Sequence, residues 1–457
     1  MRFAWMLLLV GCLALPEGDL PEQGVVADGA AGDQRVADAA ADAATDAHPT
    51  DATDQHLPDG QPGDVGPLGC ESPLLDLTAV LPNGAPGSPQ MADANGDGHA
   101  DVLVPMPNAA EVRILVGHPC GLRHGRLIVV PTVHAAWAVL LAPMGNQPRT
   151  LVTLERDADE RWFVELYLPD GDAWVHDPTS TVALPAFEVA HQPGEAPTLL
   201  APINLNGPTS GGLVLGYFNE LWTLPATRGP GLAEQLIELR RADGLFFQAV
   251  GLLGVPSPGG GGEALLVGEQ TGFSLAANLG GGTHEAARTY ERGYNLKNYA
   301  TFQLDGDGLP DLIGSFLTAG GLARVYAPRA QEGALTIEEL VLPEVAGLEP
   351  GPGPLVWALA AGSMAGPESV DLAVLAQSQE RLEPRLYIAT DLRYRAGDPT
   401  VALGRVASID LRAPGFAVLV GEFDAQLPGQ EVLLFTHNTN DILCFRWTAN
   451  RVEYCPW

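Results

Sequence analysis

Residues 91–101 read Met91-Ala92-Asp93-Ala94-Asn95-Gly96-Asp97-Gly98-His99-Ala100-Asp101 and run directly into Val102-Leu103-Val104. Oxygen-bearing side chains stand at positions 1, 3 and 5 of this loop (Asp93, Asn95, Asp97), with Gly98 permitting a sharp turn. His99 offers a backbone carbonyl, and Asp101 a closing carboxylate at position 9. A hard cation takes six to eight oxygens at about 2.3–2.6 Å, and calcium is the ion this pattern suits. A helix–loop–helix calcium site needs an acid at position 12, but Val104 stands there, inside a β-type run. The alternative is an Asx-rich hairpin turn without an ion. Four oxygen-bearing groups converging without a cation would repel, so calcium is the expectation for this loop.

The loop is one copy of a repeated frame: an apolar run, a small-residue turn, then a second apolar run. A second clear copy is Phe302-Gln303-Leu304-Asp305-Gly306-Asp307-Gly308-Leu309-Pro310-Asp311. There Gln303 replaces the first acid, leaving Asp305, Asp307 and Asp311 as a weakened candidate calcium set. Weaker copies keep only the frame, and their second runs open at Thr150, Gly212, Ala264, Asp371 and Glu431. Successive openings lie 47 to 62 residues apart, the length of a four-stranded propeller blade. Short apolar runs between Gly, Pro, Asn and Asp clusters, without a long 3.6-residue period, make residues 70–457 all-β. The expectation is a seven-bladed β-propeller. Runs ending in Leu-Pro or Val-Pro, at 127–131, 181–185 and 337–343, read as outer strands. Residues 74–82 look the same and are expected to complete the last blade from the N-terminal side, in competition with 451–454.

These loops resemble the FG-GAP or VCBS repeats of integrin-α-type propellers. The resemblance covers about residues 70–457 and is specific at 93–101, partial at 305–311 and only frame-level elsewhere. It implies a calcium-binding loop joining the first two strands of a blade, in proteins that are mostly binding or adhesion modules.

Met1-Arg2, the apolar run 3–10 and Gly11-Cys12 form a secretory signal over residues 1–11. Leu9-Val10-Gly11-Cys12 resembles the lipobox of bacterial lipoproteins, which implies acylation of Cys12; the alternative is an ordinary signal peptide that holds a cysteine. Leu13, a non-aspartate residue after the cysteine, implies sorting to the outer membrane or cell surface in a Gram-negative lipoprotein. The rest of residues 12–69 is Ala, Asp, Pro and Gly, with twelve acids against one base, Arg35. Such a segment buries too little apolar surface to offset its ordering entropy, so a disordered acidic stalk is expected. No stretch approaches the ~20 apolar residues of a transmembrane helix, so membrane association is expected only through the lipid.

The chain of 457 residues carries 24 Lys and Arg against 56 Asp and Glu, a net charge of -32. That charge excludes nucleic acid and anionic membrane surfaces as partners. It leaves cations, glycans and protein ligands, bound by an expected monomer. Cys70, Cys120, Cys444 and Cys455 are disulfide candidates in an exported protein. Cys444 and Cys455 are equidistant from Ala449-Asn450 and would face each other across a hairpin, leaving Cys70 for Cys120; a Cys70–Cys455 clasp is the rival.

No nucleophile elbow, P-loop or dinucleotide fingerprint is present. His284-Glu285-Ala286-Ala287-Arg288 has an arginine where a zinc helix needs its second histidine. The reading is therefore a non-enzymatic surface propeller that recognises a protein or glycan. The alternative is a carbohydrate-active propeller, a lyase or hydrolase working with paired carboxylates.

Overall fold

The computed structural model describes residues 74–455 except 82–85, 145–146, 185–198, 205–210, 218–219, 227–236, 246, 248, 258–261, 270–271, 281–282, 292–295, 317–323, 332–333, 342–354, 378–383, 396–397, 399, 425–428 and 437–440. The signal segment, Cys12, the 12–69 stalk and Cys70 lie outside the described residues.

The described residues contain no α-helix and form seven antiparallel blades, each with four strands paired in chain order, the second blade adding a fifth, Val182–Ala183. Blade one is Gln90–Ala92, Asp101–Met106, Glu111–Leu115 and Leu127–Pro131. Blade five is Leu296–Phe302, Asp311–Phe316, Arg324–Gln331 and Ala334–Val341. The first strands touch one another around the ring, and the seventh, Gly415–Gly421, touches Gln90–Ala92 of the first blade. The expected seven-bladed propeller is therefore what the chain builds.

The second strands begin at Asp101, Asp311, Asp371 and Glu431, where the repeat frame places them. They begin one residue early at Gly211 and Glu263, and three early at Gln147. Without an acidic loop, the ladder of blade two continues to Met144 opposite Gln147.

The core is a set of seven apolar clusters, each lying in a seam between neighbouring blades. Alternate residues of a strand face opposite sides. Val102 and Val104 accordingly enter the seam with blade seven, while Leu103 enters the seam with blade two. Both faces are covered, so the second strands read as continuous apolar runs. Trp137, Trp162, Trp174, Trp222 and Trp447 pack in or against these seams.

Ring closure differs from the expectation. Of residues 74–82, the described 74–81 supply no strand to the last blade: Leu77–Val80 is a 3-10 turn, and the outer strand is Arg451–Tyr454. The hairpin formed by Ile442–Thr448 and Arg451–Tyr454 closes over two residues, Ala449 and Asn450, both at positive φ, so its pairing costs little loop entropy. The N-terminal segment instead drives Leu77, Val80 and Leu81 into the seam between blades one and seven. Arg113 Nη1 donates to the Val80 carbonyl at 2.8 Å, and the Leu75 amide donates to Arg123 O at 2.6 Å.

The outer strand 127–131 falls where expected. Of residues 181–185, the described 181–184 contribute only Val182–Ala183, which shares Trp162–Asp170 with the outer strand Ala173–His176. Cys444 and Cys455 are disulfide-bonded across the terminal hairpin, with Cα atoms 5.3 Å apart. Cys120 is disulfide-bonded as well.

Candidate functional site

The two acidic loops both join first to second strands. In blade one, Gly96 and Gly98 adopt φ of 80° and 84°, which only glycine reaches without strain, and this curls the loop around Asp93. Asp93 Oδ1 accepts the Gly96 and Asp97 amides at 2.6 and 3.1 Å, and Oδ2 accepts the Gly98 amide at 3.0 Å. Asn95 Oδ1 accepts from Asp97 N (2.9 Å), Asp97 Oδ1 accepts from His99 N (2.8 Å), and Asn95 Nδ2 donates to Asp97 Oδ2 (2.8 Å). Blade five repeats the frame: Asp305 Oδ1 accepts from Asp307 N and Asp307 Oδ1 from Leu309 N, at 3.1 and 2.8 Å. Gln303, in the place of Asp93, donates instead to Leu309 O at 2.6 Å.

The closing acid has a second task that the sequence reading missed. Asp101, Asp311, Asp371 and Glu431 open four second strands and are all buried. Each accepts an amide from its own loop: Ala94 N at 2.7 Å, Leu304 N at 2.7 Å, Ala365 N at 2.6 Å and Phe423 N at 2.8 Å, with Asn95 N and Asp424 N adding a second, both at 3.3 Å, to Asp101 and Glu431. The repetition was visible in the sequence as an acid at the head of an apolar run. Its meaning was not, because the partners are backbone amides, which have no sequence signature. Burial pushes Asp101 upward from the usual carboxylate range and raises both Asp311 and Glu431 to about 7.

The second oxygen distinguishes the blades. Asp101 Oδ1 accepts from Gly117 N at 2.6 Å, and Asp371 Oδ1 from Asp391 N at 2.9 Å. Both donors lie two residues beyond the third-strand residue that faces the second position of the second strand (Leu115 facing Val102, Ala389 facing Leu372). In blade five Tyr326 faces Leu312, which puts Pro328 at the donor position. Proline has no N–H, and the buried Asp311 Oδ1 has no hydrogen-bond partner. Arg329, the next residue, places Nη1 3.0 Å from Asp305 Oδ2, 3.4 Å from Asp307 Oδ2 and 3.7 Å from Asp311 Oδ1. No signal in the repeat pointed to Arg329, which lies a whole strand away from the loop it enters.

Among the described residues, no three His, Cys, Asp or Glu side chains converge as a ready metal-ligand group. In blade one the oxygens of Asp93, Asn95 and Asp97 have the hardness that a calcium ion needs. Asp93 Oδ1 already takes two amides, but Asp93 Oδ2 and the two Asp97 oxygens take one hydrogen bond each. A carboxylate oxygen has two acceptor sites, so those three keep capacity for an ion. The nearby Arg149 directs Nη1 to the Ala94 carbonyl at 3.2 Å.

Buried acids elsewhere are also engaged. In blade two Glu155 accepts from Thr153 Oγ1 (2.6 Å), Tyr167 OH (2.8 Å) and His134 N (2.7 Å). Glu165 Oε2 accepts from Thr181 Oγ1 at 2.6 Å and faces His176 Nε2 at 2.8 Å. In blade four Glu269 Oε2 is paired with Arg241 Nη1 at 2.9 Å. His284 lies on a short strand, Thr283–His284, not on a helix.

Solved structures share the architecture at low identity. A lectin of Agrocybe aegerita, described for specific recognition of non-reducing terminal N-acetylglucosamine, aligns with TM-score 0.51 and 13% identity over 81% of this chain and 93% of its own. A Bacteroides uniformis chain named for 6-phosphogluconolactonase activity aligns with TM-score 0.46 and 11% identity over 80% and 94%. Hsv2 of Kluyveromyces lactis aligns with TM-score 0.45 and 10% identity over 82% and 98%. No family model matches the sequence, and no curated protein matches it. The likeness to the lectin is one of fold.

Proposed function

We propose that this chain is a binding or adhesion propeller, displayed at the cell surface on an acidic stalk through lipid on Cys12, that recognises a protein or glycan. The observation that carries the reading is the engagement of the buried acids. Asp101, Asp371, Glu155 and Glu165 each accept hydrogen bonds from their own blade, and Glu269 is ion-paired, so these carboxylates serve the frame. The loops and the ring faces are left for recognition. Calcium belongs to this reading as a structural ion on blade one, held by Asp93, Asn95, Asp97, the His99 carbonyl and Asp101. Bound there, it would neutralise the loop and fix its shape. Entry of the ion would exchange the Asn95–Asp97 hydrogen bond for coordination.

The test is a screen of glycans and surface proteins against the mature chain, with calcium and with chelator. Glycans ending in non-reducing N-acetylglucosamine go first, since the lectin with the shared fold is described as recognising them. Saturable binding without turnover supports the reading. Chemical conversion of a bound saccharide, lost on substitution of Glu155 or Glu165, would replace it with the enzyme alternative. Radiolabelled palmitate incorporation, absent in Cys12→Ala, tests the anchor.

A further inference from the structure

We infer that Arg329 is the resident cation of the blade-five loop and that this loop takes no divalent ion. The inference does not depend on calcium in blade one.

Blade five has lost a hydrogen-bond donor and gained a charge at adjacent positions. Pro328 removes the amide that Gly117 and Asp391 supply in blades one and six, leaving Asp311 Oδ1 buried and without a hydrogen bond. An uncompensated buried carboxylate oxygen is costly. Arg329 Nη1 faces that oxygen and at the same time reaches Asp305 and Asp307, the two acids that correspond to Asn95 and Asp97. These are the three side chains a calcium ion would need.

The guanidinium is fixed before it reaches the loop. Its Nε donates to Glu338 Oε2 at 3.1 Å, and its Cζ lies 5.0 Å from the ring centre of Tyr394, whose hydroxyl donates to the same Glu338 oxygen at 2.9 Å. Arg329 is thus held by its own blade and by the next. In blade one the residue at the corresponding place is His118, whose Nδ1 accepts the Cys120 amide at 3.1 Å. A guanidinium keeps its charge at any physiological pH. A divalent ion drawn to Asp305, Asp307 and Asp311 would therefore meet a fixed like charge and would have to expel it. The donor set in blade five is consequently not a calcium site while Arg329 is present.

The experiment uses the full mature chain and reads melting temperature in chelator and in millimolar calcium. Asp97→Ala, which disables blade one, is expected to show no calcium response. Adding Arg329→Gln to it is expected to lower the melting temperature in chelator and to create a calcium response that disappears with Asp305→Asn. A calcium-dependent rise in Asp97→Ala alone, abolished by Asp305→Asn, would overturn the inference. So would the absence of any calcium response once Arg329 is removed. If Arg329→Gln does not fold, calcium stoichiometry by calorimetry on Asp97→Ala decides: zero ions supports the inference, and one ion lost with Asp305→Asn sinks it. Failure of the blade-one calcium reading appears separately, as a wild-type protein whose melting temperature ignores calcium.

Discussion

Asp101 Oδ1 accepts the Gly117 amide at 2.6 Å, tying the end of the third strand of blade one to the start of its second. Its other oxygen holds the Ala94 amide at 2.7 Å. Asp101→Ala would leave the buried Ala94 and Gly117 amides without their acceptor, and would also remove the longer bond from Asn95 N at 3.3 Å. Each buried orphaned donor costs about 1–3 kcal/mol, so a loss of about 2–6 kcal/mol in unfolding free energy is expected from the two buried amides. Asp101→Asn keeps one acceptor and should lose less. Urea denaturation measures both, and an alanine variant within about 1 kcal/mol of wild type would show that the carboxylate is dispensable.

Pro328 and Arg329 should be energetically coupled. Pro328→Ala restores an N–H opposite Asp311 Oδ1, so Arg329→Gln should cost less in that background than in wild type. A double-mutant cycle should return a coupling of about 0.5–1.5 kcal/mol. Additivity would mean that the two residues compensate nothing in each other.

Glu431 gives the protein a pH dependence of known sign. Burial raises its carboxyl from 4.5 to about 7 in the folded state, against the amides of Phe423 and Asp424. Between those values the native state holds a proton that the unfolded chain has released, so stability falls as pH rises from about 4.5 to about 7 and then levels. Glu431→Gln should flatten that part of the profile of melting temperature against pH. An unchanged slope would place the titration elsewhere.

The Arg241–Glu269 pair should matter far more than the surface pair Arg126–Asp172. Side-chain exposure is 4% and 0% in the first and 50% and 78% in the second. Asp243 also holds Arg241, at 2.6 and 3.0 Å, so Glu269→Ala leaves that cation paired, whereas Arg241→Ala strands the buried Glu269 charge and should cost about 3–5 kcal/mol. Asp172→Ala should leave the denaturation midpoint unchanged. Equal effects in chemical denaturation would contradict this ranking.

What the sequence determined by itself was local. Apolar runs between turn residues specify strands, and an acid before an apolar run marks where the second strand begins. The starts at Asp101, Asp311, Asp371 and Glu431 follow from such short-range chemistry. The terminal hairpin bridged by Cys444 and Cys455 follows from it too. The tertiary structure decided what depends on distant partners. Residues 74–82 have strand-like composition, but the last blade already has its outer strand in Arg451–Tyr454, so Leu77, Val80 and Leu81 go to the seam instead. The blade-five loop looked in sequence like a weakened copy of the blade-one loop. Only the folded third strand shows that Pro328 withholds an amide and that Arg329 brings a charge to Asp305, Asp307 and Asp311. A turn is specified by neighbours a few residues apart. The charge balance of that turn is set by whichever strand the fold lays across it.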